Sequence, residues 1–397
     1  MQNVAEDSEV KGVTKGKRPL KIALIVLILI AVAELSSFLL LSQLNKMGFW
    51  PQEPTLHPYL GWRPPANATL RLSSHSAYWD LVEYNNIETD EGSRPITPIS
   101  YKDPDIHVAI TGGGPLMGVG TPNNANSIPS LVEKMIFEKM GIKAEVHNLS
   151  VGGYNSFQEM LFLLDFLKEN KLDLAISISG LNDYINGFEE PYLRSTALVD
   201  SVYDRVRPLN EGLSFLSYIR SKSNFVEVMI SVLPKAYVRF HDYISIGNES
   251  TFTLMLDDAP LDAAKLNDID KRVNITSLHY SMINLLTKKF GAEFVVMLMP
   301  QTFTKDQLSD AEVKNAGSRV NVNGRVSNEN LKVYGQKFYD GFVNIEKDYA
   351  FHDITNIFDD TKESMFVDMF TYNGPGAKRV AEEIFKNIEP TLRNMKK

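Results

Sequence analysis

The sequence predicts an α/β domain built on a parallel β-sheet, and three observations support this fold class. Short apolar runs alternate with segments of helical spacing from residue 106 onward. The first run, 106–111, leads into a glycine-rich turn. The runs are apolar throughout, which is typical of strands that helices cover on both faces. We therefore expect a three-layer, flavodoxin-like arrangement with a central sheet of about five strands.

The strands and helices are predicted in chain order. Apolar runs predict strands at 106–111, 144–149, 172–179, 294–300 and 351–357. Helical spacing predicts helices at 127–140, 156–169, 272–289, 327–346 and 375–394. Ser127 is a suitable N-cap for the first of these helices, and Gly141 follows its last residue.

The connection between the third and fourth strands is too long for a single crossover. Residues 184–270 are rich in aromatic side chains and are expected to form an inserted cap or subdomain. Such an insertion would cover the carboxyl edge of the sheet, where open α/β sheets bind ligands. A helical packing extension with no ligand role explains the same residues equally well.

The sequence of the N-terminal part predicts a membrane anchor. A polar tail, 1–21, carries five Lys and Arg residues and precedes a transmembrane helix predicted at 22–44. The positive charges predict a cytoplasmic N-terminus. A cleaved signal peptide would have a shorter apolar run that ends in small residues. Glu34 lies inside the predicted span, so we expect it to contact a membrane protein partner, although a position near the interface also explains it.

Composition excludes several classes of function. The 397 residues carry a net charge of −8, so no basic surface for nucleic acid is expected. Cysteine is absent, which excludes disulfides, thiolate zinc sites and a cysteine nucleophile. Residues 45–105 are rich in proline and predict an extended lead-in to a domain at 106–397.

Four short segments follow predicted strands or precede the last predicted helix. In chain order they are Gly112-Gly113-Gly114, Asn148-Leu149-Ser150, Gly180-Leu181-Asn182-Asp183 and Asp368-Met369-Phe370-Thr371. In this order, the four segments resemble the sequence blocks of SGNH (GDSL-type) hydrolases, in the membrane-anchored bacterial branch. The resemblance implies the SGNH hydrolase fold, an exported main domain and a location in the bacterial inner membrane.

The resemblance also implies that the reacting groups are missing. The family's serine nucleophile falls at Gly114, and its histidine base falls at Thr371. Asp368, which would orient that histidine, is retained. The Asn182 side chain, the backbone N–H of Ser150 and Gly113 are expected to form an oxyanion or ligand site. A purely structural role for Asn182 and Asp183, as helix-capping residues, is an equal alternative.

Other chemistries are less well supported. A rebuilt dyad of Ser150 with His147 is disfavoured because neighbouring strand residues point to opposite faces. His241, in the insertion, could reach the site only if that segment covers it. The glycine spacing does not fit a dinucleotide fingerprint. The carboxylates Asp257, Asp258 and Asp262 lack patterned histidines. We therefore expect no cofactor and no metal.

The sequence favours a catalytically impaired protein over an enzyme. Two reacting groups are lost together, so we expect a structural or binding subunit of an envelope membrane complex. Its partners would be membrane proteins, with a glycan or acyl group as a further ligand. The alternative is an active esterase, O-acetyltransferase or deacetylase on exported polysaccharide, with relocated catalytic residues.

Overall fold

The structure is a computed structural model. It describes residues 17–46, 55–57, 59–73, 84–185, 223, 225, 229, 263–317 and 328–395. The chain divides into two compact units, Met1–Trp50 with Arg207–Gly247 and Pro51–Val206 with Asn248–Lys397. Most of the predicted insertion at 184–270 and most of the predicted tail at 1–21 lie outside the described residues, as do His241, Asp257, Asp258 and Asp262.

Among the described residues of the first unit, 17–46 form a long helix, α1 (Lys17–Lys46). Large apolar side chains along this helix are exposed, among them Ile25, Leu29 and Leu39. Of the helices in the described part of the chain, none is both long and apolar enough to cross a membrane. The transmembrane segment expected at 22–44 stays a prediction.

The proline-rich lead-in forms two small antiparallel hairpins. Strand β1 (Thr55–His57) pairs with β2 (Gly61–Arg63), and β3 (Thr69–Ser73) pairs with β4 (Tyr84–Glu88). The carbonyl of Leu60, between β1 and β2, accepts a hydrogen bond from Gln158 Nε2 (2.7 Å). This bond ties the first hairpin to the domain that follows.

A parallel sheet of five strands forms the centre of the second unit. Its strands are β5 (Ile106–Gly112), β6 (Ala144–Asn148), β7 (Leu174–Ser179), β8 (Glu293–Leu298) and β9 (Ala350–Asp353). Their spatial order is β6-β5-β7-β8-β9, and every neighbouring pair is parallel. The second strand of the sheet in chain order, β6, lies on one side of β5, and the third, β7, lies on the other side. This reversal places a topological switch point between the carboxyl ends of β5 and β7.

Helices cover both faces of this sheet. They are α2 (Gly114–Met117), α3 (Ile128–Met140), α4 (Ser156–Leu167), α5 (Leu181–Ile185), α6 (Ala263–Lys289), α7 (Asp310–Gly317), α8 (Asn328–Asn344) and α9 (Gly374–Met395). One layer is formed by α3 and α9, and the other contains α4, α6 and α8. The predicted three-layer α/β fold is confirmed.

The observed boundaries differ from the predicted ones in two informative places. Helix α6 begins at Ala263, nine residues before the predicted start at 272, because its first turns are too polar for an apolar pattern to show. Strand β9 ends at Asp353 instead of 357. The Asp353 carboxylate accepts hydrogen bonds from the Thr355 N–H (3.0 Å) and hydroxyl (2.7 Å), which turns the chain away from the sheet.

Candidate functional site

The glycine turn and the Asn-Asp segment meet at the switch point of the sheet. Gly112–Gly114 follow β5, and Asn182 and Asp183 lie in α5, directly after β7. Tyr184 anchors this short helix, because its fully buried ring packs against a cluster of aromatic side chains, Phe303, Tyr334, Phe338 and Tyr339. The two segments are thus held on neighbouring strands of a rigid sheet.

Gly113 and Asn182 are in close contact. A Cβ atom at position 113 would lie 2.7 Å from Asn182 Nδ2, so only glycine leaves room for this amide. The same Nδ2 donates a hydrogen bond to the Tyr154 carbonyl oxygen (2.8 Å). The amide that the resemblance assigns to an oxyanion site is therefore fixed in position and remains partly exposed.

Gly114, by contrast, could carry a side chain. A Cβ atom there would meet Val119 Cγ2 at 3.5 Å and Gly152 Cα at 3.8 Å, both ordinary van der Waals distances. The fold does not require glycine at the position where the family has its nucleophile. The hydroxyl is absent because of the residue type and not because the space is closed.

The structure moves the expected backbone donor from Ser150 to Gly152. Ser150 is fully buried, its N–H donates to Asn148 Oδ1 (3.0 Å) and its hydroxyl donates to the Ile110 carbonyl (3.3 Å). Gly152 lies against Gly114, and its N–H donates to Met117 Sδ (3.4 Å). A thioether is a weak acceptor, so this N–H is the more available donor for a ligand.

Asp368 and Thr371 lie in one short turn, which the Asp368 side chain holds by hydrogen bonds to the backbone. The Asp368 carboxylate accepts hydrogen bonds from the backbone N–H groups of Phe370 (2.8 Å) and Thr371 (2.7 Å). Thr371 is only 6% exposed, and its methyl group packs against Gly120, where a Cβ atom would lie 2.4 Å away. Asp368 therefore shapes its own loop through these two hydrogen bonds.

A buried ion pair holds the segment just before this loop. Lys305 Nζ lies 2.7 Å from Glu312 Oε2, and both side chains are fully buried. Lys305 also donates to the Glu363 carbonyl, while Glu312 accepts from the N–H groups of Met365 and Phe366. Burial alone would raise the pKa of Glu312, but these hydrogen bonds and the lysine charge outweigh it and lower the pKa.

A serine and a histidine that were not predicted as partners are in contact. Ser156 Oγ lies 2.8 Å from His279 Nδ1 and 2.6 Å from Asp183 Oδ1, to which it donates. Asp183 also accepts from the Ser156 N–H (3.0 Å), so it caps the N-terminus of α4. Burial lowers the pKa of His279, while the charge of Asp183 acts in the opposite direction.

This arrangement differs from a catalytic triad in two respects. In a triad the imidazole lies between the hydroxyl and the carboxylate, whereas here the Ser156 hydroxyl lies between Asp183 and His279. Ser156 is also fully buried, so a carbonyl carbon has no approach to its oxygen. The hydrogen bonds join α4, α5 and α6, which is a structural role.

The predicted alternative dyad of Ser150 with His147 is not formed. The Ser150 hydroxyl is bound to a carbonyl, and His147 Nε2 lies 3.4 Å from His107 Nδ1. Burial, with the charges of Arg94 and His107, lowers the pKa of His147 to about 4. No metal site was expected, yet His107, Glu145 and His147 bring one ligand atom each within 4.8 Å of one another.

Glu34 has partners inside its own unit. Its Oε1 accepts a hydrogen bond from the Ser223 hydroxyl, and its Oε2 accepts one from the Phe225 N–H (3.4 Å). The sequence suggested contact with another protein at this carboxylate. These intrachain bonds show that a partner for Glu34 is already present in residues 207–247.

Comparison with solved structures gives matches with low sequence identity and low TM-score. The psychrotrophic esterase EstA from Pseudoalteromonas sp. is 11% identical, with a TM-score of 0.38 over 73% of this chain and 100% of that chain. The acetyl xylan esterase AlAXEase is 12% identical, with a TM-score of 0.36 over 71% and 100%. A GDSL-like lipase from Parabacteroides merdae is 11% identical, with a TM-score of 0.34 over 73% and 98%.

No protein-family model and no curated protein matches the chain. At these identities and TM-scores, the likenesses say nothing about activity. The chain has a three-layer α/β fold with a five-stranded parallel sheet, and the four segments that resemble SGNH hydrolase blocks lie around the carboxyl edge of that sheet.

Proposed function

We propose that this protein is a catalytically impaired SGNH-like protein that acts as a binding or structural subunit of an envelope membrane complex. One observation carries the proposal. Position 114 has no side chain, position 371 is a nearly buried threonine, and the Asp368 carboxylate is engaged by its own loop. Ester hydrolysis on this scaffold needs an attacking hydroxyl and a base, and neither lies beside Asn182 at position 114 or 371.

The donors that would bind a ligand oxygen are kept. The Asn182 amide lies next to Gly113, and Gly152, which carries the other donor, lies next to Gly114. Preorganised donors of this kind bind a carbonyl or acetyl oxygen whether or not a nucleophile is present. The ligand class supported best is therefore an acyl or acetylated glycan.

The membrane part of the proposal depends on the sequence and on α1. The apolar run in 22–41 follows a basic segment, and the described apolar side chains of α1 are exposed. We infer a single-pass protein of the bacterial inner membrane, with its N-terminus in the cytoplasm and its main domain outside. Its complex partners would bind through this helix.

Restoring the missing groups tests whether the site is still formed. We expect the full-length protein, purified in mild detergent, to leave p-nitrophenyl acetate unhydrolysed and to resist a fluorophosphonate probe. The variant Gly114→Ser/Thr371→His should gain turnover and probe labelling, because a Cβ atom fits at position 114. Gly114→Ala/Thr371→His is the matched control, since it adds the same Cβ atom at position 114 without the hydroxyl.

Labelling of a serine in the unmodified protein would contradict the proposed loss of catalysis. If the restored variant gains nothing although it folds, the oxyanion donors are not aligned and the ligand part of the proposal fails. Circular dichroism of both variants establishes that they fold.

Co-purification tests the proposed complex. We expect the full-length protein to retain membrane partners in mild detergent and Glu34→Leu to reduce that association. Ser223→Ala is the control, because it removes one of the two intrachain donors described above while the Glu34 carboxylate and the Phe225 N–H stay. Equal recovery of partners with Glu34→Leu would show that the Glu34 carboxylate acts only within the chain. Absence of any partner would contradict the complex itself.

An active esterase is the second candidate, and the Ser156–His279 contact is the observation that favours it. A local opening that exposes Ser156 would be needed, because the residue is fully buried. If the unmodified protein does react with the fluorophosphonate probe, Ser156→Ala decides the case. Loss of labelling in that variant would assign Ser156 as the nucleophile.

A further inference from the structure

We propose that His107, Glu145 and His147 form a binding site for a divalent transition-metal ion, zinc being the best fit. The site lies on β5 and β6, the edge pair of the sheet, and is independent of the function proposed above. No part of the four SGNH-like segments contributes a ligand to it.

The register of the two strands brings the three side chains to one face. His107 lies directly opposite Glu145 in the parallel pair, and His147 follows Glu145 by two residues. Register partners share a face of the sheet, and so do residues that are two apart on one strand. Because β6 is the edge strand, solvent can reach this end of the pair.

The separations between the ligand atoms fit a tetrahedral metal ion. His107 Nδ1 lies 3.2 Å from Glu145 Oε2 and 3.4 Å from His147 Nε2, and His147 Nε2 lies 4.0 Å from Glu145 Oε2. Zinc bound at about 2.0–2.2 Å in tetrahedral geometry separates its ligand atoms by roughly 3.3–3.6 Å. The three atoms need only small rotations to surround one ion.

The side chains are partly buried and held by packing. Their side-chain exposures are 25% for His107, 32% for Glu145 and 15% for His147. The His147 ring packs on Phe166 of α4, with centroids 4.8 Å apart, and its plane lies within 6° of that of His107. The ligand atoms therefore converge before any ion binds, which lowers the cost of ordering them.

The charge around the cluster permits a cation. Glu145 supplies one negative charge, and the two imidazoles supply neutral nitrogen ligands. Arg94 is the nearby positive group, and its guanidinium is paired with Asp90 (2.7 Å). Two histidines and one carboxylate leave the fourth position of zinc to water, which is the pattern of an open site.

Zinc binding by the full-length protein tests the inference. The protein is produced without a histidine tag, stripped with a chelator and dialysed against Zn²⁺, and bound metal is measured by plasma mass spectrometry. We expect one zinc per chain. Competition with a chromophoric chelator should show at least a tenfold loss of affinity in His147→Ala and in Glu145→Gln. His352→Ala, on the opposite edge strand β9, is the control and should keep the unmodified affinity.

Cobalt gives a readout that does not depend on the variants folding. Co²⁺ in the unmodified protein should show the intense visible bands of a four-coordinate ion. Absence of stoichiometric zinc, a six-coordinate cobalt spectrum, or unchanged affinity in folded His147→Ala and Glu145→Gln would each overturn the proposal.

Discussion

Two adjacent glycines, Gly113 and Gly114, differ in the space that is left for a side chain. Gly113 is required because a Cβ atom there would lie 2.7 Å from Asn182 Nδ2, whereas Gly114 has room for one, with its nearest contact at 3.5 Å. The position of the Asn182 amide therefore depends on Gly113 and not on Gly114. The sequence Gly-Gly-Gly does not by itself show this difference between the two positions.

The pair Gly113→Ala and Gly114→Ala tests this difference. Gly113→Ala should lower the free energy of unfolding by about 1–3 kcal/mol, since Asn182 must move away from its bond to Tyr154. Gly114→Ala should leave the free energy of unfolding unchanged or raise it by roughly 0.4–1 kcal/mol, because alanine reduces the conformational entropy of the unfolded chain. Chemical denaturation measures both. Equal destabilisation by the two alanines would contradict the described packing.

Glu133 is a fully buried carboxyl group on α3 whose Oε1 accepts from the Val146 N–H (3.0 Å). Burial raises its pKa from 4.5 to about 8. The folded state thus holds a proton that the unfolded state releases. The associated stability is fully present below pH 4.5 and is lost as the pH rises towards 8.

Glu133→Gln should remove this pH dependence. Relative to the variant, the unmodified protein should lose stability between pH 5 and 8, by on the order of a few kcal/mol at about 1.4 kcal/mol per pKa unit. Denaturation at several pH values measures the difference. Glu138→Gln, an exposed carboxylate of the same helix, should leave the slope unchanged. Parallel curves for Glu133→Gln and the unmodified protein would show that Glu133 is ionised in the fold.

Among the elements, the loop that precedes α9 depends on α7. The buried Lys305–Glu312 pair binds the backbone of residues 363–366, so the loop is held by charges as well as by packing. Removing one member of a buried pair leaves the other charge uncompensated.

Lys305→Met should therefore cost about 3–5 kcal/mol of unfolding free energy. Lys378→Met, in an exposed pair with Glu382, should change it by no more than about 1 kcal/mol. Because the pKa of Glu312 is lowered, its contribution should also fade as the pH drops below the ordinary glutamate range. Chemical denaturation at neutral and acidic pH measures both effects. A neutral result for Lys305→Met would contradict the buried pair.

Apolar runs predicted all five strands of the sheet, because buried parallel strands need continuous apolar side chains. Capping residues predicted α3 well: Ser127 accepts from the Ser130 N–H, and Gly141 ends the helix with a φ of +66°. The pattern of apolar residues did not predict helical segments that are largely polar. The early turns of α6 and the short helix α7 carry too few apolar residues to stand out.

At the scale of the whole molecule, the first hairpin of the lead-in belongs to the same core as the sheet. Leu60 is 1% exposed within the main core, and the Arg63 guanidinium pairs with Asp165 (2.6 Å) while lying over the Phe162 ring. The hairpin β1–β2 is therefore docked on α4 rather than loosely attached.

Leu60→Ala should lower the free energy of unfolding by about 2–5 kcal/mol in a single transition. Tyr59→Ala, an exposed neighbour, should cost no more than roughly 0.5 kcal/mol. Far-ultraviolet dichroism and tyrosine fluorescence should report the same midpoint. Separate midpoints would show that the hairpin unfolds on its own.

The sequence predicted which segments form the candidate site, but not the contacts between distant residues. The four segments identified the carboxyl edge of β5 and β7, because strand ends in a parallel sheet meet at one edge. Three findings were missed: Gly152 as the available donor, the Ser156–His279 contact and the convergence of His107 with Glu145. Each depends on register or on contacts across 35 residues or more, which no local pattern contains.

The hydrogen bonds of the Asp368 loop have a consequence for protein engineering. They join the Asp368 carboxylate to backbone N–H groups, and a neighbouring lysine–glutamate pair binds further backbone atoms of residues 363–366. None of these bonds uses the Thr371 side chain. A new side chain at position 371 can therefore be introduced without removing the bonds that shape the turn.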